Sequence, residues 1–101
     1  MSTEHYRFIL KSTAPPTVEV DSRSSSVYVR FKKATVARTV AQKCPSMHVA
    51  IDLDSKGEII GFEAVGIKQF SLGMLFKKAS VDAPGMDFSR ARYVPTELVE
   101  A

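Results

Sequence analysis

The chain has 101 residues, enough for one domain, with 45% apolar and 25% charged residues, the proportions of an ordinary globular protein. A single cysteine, Cys44, excludes an intrachain disulfide, and no apolar run is long enough to cross a membrane. The formal charge of +3 comes from dispersed basic residues. Lys32-Lys33, Lys77-Lys78 and Arg90-Ala91-Arg92 are pairs within a solvated surface and form no polybasic tract.

The first sixteen residues read as an N-terminal arm (1–16). Tyr6, Phe8 and Leu10 alternate on one side of a possible edge strand, and Pro15-Pro16 break regular structure. Arg7 and Lys11 bracket Phe8-Ile9-Leu10, so there is no continuous apolar core of a signal peptide; a cytoplasmic location is expected. Residues 17–80 read as the folded core. Thr17–Asp21 is a short strand with Val18 and Val20 on one side, and Asp21-Ser-Arg-Ser-Ser-Ser26 is a turn by composition. Val27–Lys32 is a clear strand. Val27, Val29 and Phe31 face one way; Tyr28, Arg30 and Lys32 face the other. A turn at Lys33-Ala34 leads into a weaker strand, Thr35–Ala41, and a connection broken by Pro45.

His48–Val65 is the strongest local signal and reads as a β-hairpin. Val49, Ile51 and Leu53 alternate with Ala50, Asp52 and Asp54. Asp54-Ser-Lys-Gly57 supplies a side chain that can hydrogen-bond the local backbone and a glycine for positive φ. Pairing Leu53 with Glu58 places Ile51 opposite Ile60, Val49 opposite Phe62, His48 opposite Glu63 and Gly61 opposite Ala50. The face bearing Ala50 and Gly61 is then thin, with room for a helix or a second chain. Asp52, Asp54, Gly57 and Glu63 also fall at the first, third, sixth and twelfth places of an EF-hand loop. Lys56 stands where that loop wants an oxygen donor, and the alternation from Val49 argues against a helix entering the loop, so the hairpin reading is preferred.

Ser71 then caps a helix whose stripe is Leu72, Leu75, Phe76 and Ala79, with Phe70 placed to staple onto Leu75 and Lys77-Lys78 in the last turn. So short a helix must dock to be stable. Asp82, Pro84 and Gly85 end it, and residues 81–101 form a C-terminal extension with a short element around Thr96–Val99 or a tail. The expected fold class is α+β: an antiparallel β-meander of four to five strands with one C-terminal helix packed on the sheet.

Three stretches, VEVDSRSSSVYVRF, HVAIDLDSKGEIIGFEAV and the apolar helix after them, resemble the domain of unknown function 2283 family of small uncharacterised bacterial proteins. The resemblance spans about Val18–Ala79 and implies no catalytic residues and no cofactor. Some family members are similar to small proteins encoded beside toxin-like genes, which implies an antitoxin-like partner role.

The residues themselves hold no phosphate-cradling glycine loop and no nucleophile elbow. Cys44 has a basic neighbour but no surrounding motif, and His5 lies in the arm. The candidate pocket or interface is Tyr28, His48, Ala50, Asp52, Gly61 and Glu63, with no metal or cofactor expected. A non-enzymatic protein acting by association is the preferred reading: a homodimer, or a complex with a small protein partner. Nucleic-acid binding or a small-ligand or enzymatic role stands second.

Overall fold

The computed structural model describes residues 7–11, 14–42, 47–67 and 69–95. The protein is a mostly-β α+β structure with a six-stranded, largely antiparallel sheet, a two-stranded parallel sheet and one short α-helix. The elements are β1 (Phe8–Ile9), β2 (Thr17–Asp21), β3 (Ser26–Arg30), β4 (Arg38–Gln42), β5 (His48–Leu53), β6 (Ile59–Val65), α1 (Leu72–Ala79), β7 (Val81–Asp82) and β8 (Arg92–Pro95), with a 3-10 turn at Phe88–Arg90.

The large sheet has the order β4-β5-β6-β3-β2-β8. This corrects the expected meander. β3 pairs with β6, and the chain then crosses the end of the β5–β6 hairpin through residues 31–37 to reach the far edge as β4. Read backwards from β6, the order of β3, β6, β5 and β4 is that of a Greek key. Burial explains the arrangement. β6 carries Ile59, Ile60, Phe62 and Ala64, all buried, and takes an interior place. β4 offers only Val40 and Ala41 among charged and polar neighbours, and a place between β3 and β5 would bury Arg38.

The β5–β6 register also differs from the expected one. Val49 is paired with Ala64, Ile51 with Phe62 and Asp52 with Gly61, while Leu53 is paired with Ile59. Ile60 is therefore the extra residue of a β-bulge. The shift of two positions from Val49 to Asp52 keeps residues 61–64 on their expected faces, because the pleat repeats every two residues, whereas the bulge brings Ile59 to the core face opposite Leu53. The turn forms as the sequence implies. Asp54 Oδ1 accepts the N–H groups of Lys56 and Glu58, both at 2.9 Å, and Gly57 adopts φ 81°.

One face of the sheet carries the core. Val18, Val27, Val29, Val49, Ile51 and Phe62 pack beneath α1, whose buried residues are Leu72, Leu75, Phe76 and Ala79. Phe62 and Phe76 meet edge to face at 5.4 Å between centroids, and Phe31 joins them at 6.1 and 5.7 Å. Ser71 caps α1 by accepting the Met74 N–H. The helix ends at Ala79, with Lys77 and Lys78 in its last turn and ahead of Asp82, Pro84 and Gly85, because Ser80 takes the left-handed conformation (φ 60°) and returns its N–H to Lys77. Buried Gln42 donates its side-chain amide to the Ala79 carbonyl at 2.6 Å, fastening the helix end to β4.

Both flanking segments enter the fold. β1 runs parallel to β7, so the arm adds a strand to the small sheet and not to the edge of the large one. The C-terminal extension contributes β7 and also β8, which lies parallel to β2 at the sheet edge. Tyr6, His5, Cys44 and the expected element around Thr96–Val99 lie outside the described residues.

Candidate functional site

Alternate residues of the strands build the outer face of the large sheet. The pairings set two rows across it: Thr39, Asp52, Gly61, Arg30 and Thr17, and next to it Ala41, Ala50, Glu63, Tyr28 and Glu19. All six residues singled out in the sequence fall on this face. Tyr28, Ala50, Asp52, Gly61 and Glu63 are neighbours. His48 sits at the end of β5, exposed and paired with Val65, so the expected His48–Glu63 contact does not form; Glu63 is opposite Ala50 on one side and Tyr28 on the other.

Tyr28 is the organising side chain. It reaches diagonally from β3 across Gly61 on β6 to Asp52 on β5, and its hydroxyl donates to Asp52 Oδ2 at 2.8 Å. The Thr39 hydroxyl donates to the other Asp52 oxygen at 2.7 Å. One carboxylate thus ties β3, β4 and β5 together. Only a glycine fits under the ring. A Cβ at position 61 would stand 2.6 Å from Tyr28 Cε2 and 2.5 Å from the Val29 carbonyl oxygen. The thin face expected at Gly61 is therefore filled by this ring from within the sheet, and not by a helix.

Arg30 lies over the Tyr28 ring at 4.9 Å and donates from Nε to Glu19 at 2.7 Å. Burial, and then the hydrogen bond to the Asp52 carboxylate, push the Tyr28 hydroxyl well above its ordinary pKa. The hydrogen bond to Glu19 raises Arg30 further still. Arg30, Glu19 and Thr39 are functional neighbours that the residue pattern did not single out as a group. Their common outward parity was visible, but their proximity depends on β3 pairing with β6.

A second polar cluster lies where the crossing segment passes the hairpin turn. Lys32 Nζ donates to Asp54 Oδ2 at 2.6 Å and Glu58 Oε1 at 3.0 Å. The Lys32 ammonium, with the backbone N–H groups of Glu58 and Lys56, holds the Asp54 carboxyl down at about 2, and the two carboxylates raise Lys32. Asp52 and Asp54 thus serve different partners, one on the sheet face and one in the turn. Among the described residues no group of three or more His, Cys, Asp or Glu is gathered as a metal site. Among them, too, no helix is long and apolar enough to cross a membrane.

Comparison with known proteins leaves the residues to carry the argument: no family model, no curated protein and no solved structure matches the chain.

Proposed function

We propose that the chain is a non-enzymatic β-sheet protein that acts by association, pairing first with a second copy through β4. The observation that supports this reading is the difference between the two edges of the large sheet. An edge strand directs the backbone groups of alternate residues away from the sheet, and proteins blunt such edges with lysine, proline or bulges. β8 carries Pro95, which has no N–H to offer. β4, RTVAQ, has neither lysine nor proline, and Arg38, Thr39 and Ala41 are exposed. Val36, just ahead of it, is 47% exposed.

β4 is also compatible with itself. A two-fold axis through Val40 sets Arg38 opposite Gln42 and Thr39 opposite Ala41, with no like charges facing one another. The outer face would then run on from one copy into the next. Its ring, carboxylate and guanidinium are already fixed by one another, so little side-chain freedom would be lost on contact.

The nucleic-acid-linked, antitoxin-like alternative has less behind it. Arg7, Arg30 and Lys32 are each matched by carboxylates, and a phosphate track needs cations in a row. A ligand-binding or enzymatic role would draw on Asp52, which is engaged by two hydroxyls. The family resemblance implies no activity and adds none here.

Sedimentation across the micromolar range tests the reading. The wild type is expected to pass from monomer to dimer, and Ala41→Lys, which puts a lysine at an exposed position of the edge, to stay monomeric with an unchanged far-ultraviolet spectrum. A wild type that stays monomeric throughout, or an Ala41→Lys variant that dimerises as before, refutes it.

A further inference from the structure

The chain carries one short pattern twice. Lys32-Lys33-Ala34-Thr35-Val36 and Lys77-Lys78-Ala79-Ser80-Val81 each set a pair of lysines shortly before a hydroxyl and an aliphatic residue directly after it. The fold treats the two copies oppositely. In the second copy Lys77, Lys78 and Ala79 end α1, and Ser80 is its left-handed cap. The Ser80 N–H returns to Lys77, its carbonyl accepts the Phe8 N–H at 2.9 Å, and Ala79 and Val81 are buried on either side.

The first copy lies in the crossing segment between β3 and β4. Residues 33–39 are exposed without interruption, and residues 32–37 belong to no helix, strand or turn. Phe31 and Lys32 are tied to Ile60, and Ala37 to Leu53, but residues 33–36 make no hydrogen bond with any described residue. Lys33 has no carboxylate partner among the described residues. Lys32 is held by Asp54 and Glu58, in a surface cluster of the kind that exchanges readily. Val36, directly after Thr35, is 47% exposed.

We propose that Thr35 is a phosphorylation site for a serine/threonine kinase that reads basic residues. Such kinases bind an extended stretch of substrate, meet the cations ahead of the acceptor with carboxylates and seat the aliphatic residue behind it. Residues 33–36 can take up that form without breaking a hydrogen bond. Ser80 would have to unwind the last turn of α1 and draw Val81 away from β1. In the transfer, Thr35 Oγ1 bonds to the γ-phosphorus of the kinase's nucleoside triphosphate. The bond to the departing diphosphate oxygen breaks, and the hydroxyl proton passes to the kinase's base. The product adds a charge of about −1.5 to −2 at the approach to β4, with the Lys33 ammonium nearby to pair with it.

The test incubates the full chain with magnesium ATP and the catalytic subunit of the cAMP-dependent protein kinase, and reads the product by intact mass and fragment sequencing. A single phosphate on Thr35 is expected, with Ser80 unmarked. A synthetic peptide of residues 74–84, which lacks the fold that covers Ser80, is expected to be marked at that serine. Lys33→Ala, at an exposed position, is expected to lower kcat/KM for the full chain about tenfold with an unchanged unfolding curve. A native chain that stays unmarked, is marked at Ser80 as readily as at Thr35, or is marked as fast after Lys33→Ala overturns the proposal. So does an unmarked peptide, since the pattern itself would then go unread. The self-pairing proposed for β4 engages Arg38–Gln42 and leaves Thr35 outside it, so none of these results depends on whether the chain dimerises.

Discussion

Replacing Gly61 by alanine adds one methyl group at the point where three strands converge on Tyr28. At an open strand position the change would be favourable by about 0.4–1 kcal/mol, through the lost freedom of the unfolded chain. At position 61 the new Cβ meets Val29 O at 2.5 Å, Tyr28 Cε2 at 2.6 Å and Tyr28 Oη at 2.8 Å. The ring can swing aside, but the carbonyl belongs to the neighbouring strand and moves only with the ladder. Overpacking of this kind costs about 1–3 kcal/mol. Displacing the ring also breaks its hydrogen bond to Asp52, worth about 1 kcal/mol at this half-buried site. The expected net loss is about 2–3 kcal/mol, or roughly 10–20 °C in Tm for a domain of this size. Urea and thermal unfolding followed by circular dichroism measure it. In the Tyr28→Ala background the same substitution should cost clearly less, the remainder being the contact with Val29. A Gly61→Ala protein as stable as wild type, or more stable, would refute the claim that the ring and carbonyl close this position.

Two further predictions concern titration. Between the ordinary tyrosine value of 10.0 and the raised value of Tyr28, the folded state holds a proton that the unfolded state has lost, so stability falls as pH rises through this window. Tyr28→Phe should remove that part of the alkaline slope, along with a phase of tyrosinate absorbance above the ordinary tyrosine value. Asp54 is depressed from 3.8 to about 2, so its contribution is present above 3.8 and is lost as pH falls towards 2. Lys32→Met, which removes the largest cause of that depression, should flatten the acid limb of stability between those values; an unchanged limb would sink the assignment.

Much of the sheet was legible in the residues because it rests on local alternation. Val27, Val29, Val49, Ile51 and Phe62 fall inside as their parity requires. The two-position register error left the faces of residues 61–64 untouched for the same reason, while the bulge turned Ile59 inward. Its source is Ile59-Ile60, two adjacent isoleucines that are both buried, a pair that carries no mark distinguishing a bulge from a regular strand. Strand order was not legible. It depends on which strands tolerate an exposed edge, a global competition that Lys33-Ala34 does not reveal, and the missing tight turn there was the one local hint of a crossover. β1, β7 and β8 have two to four residues each and owe their form to their partners. The candidate site was read as a set of outward-facing residues without its connections. Tyr28 meets Asp52, and Thr39 joins them, only because distant segments are interleaved.

That interleaving sets an order on synthesis. Of the large sheet's strands, β2 and β3 leave the ribosome first, and β3 must wait for β6 before its other edge is covered. β2 waits longest, until Arg92–Pro95 arrive from near the end of the described chain to lie parallel against Thr17–Val20. Until then its backbone is an open template carrying Val18 and Val20, the kind of transient edge on which nascent β proteins misassemble. β8 therefore acts as a closing seam. A chain cut before Arg92 would keep its core residues and its helix and still expose β2, and it should fail first by aggregation, before any loss of packing.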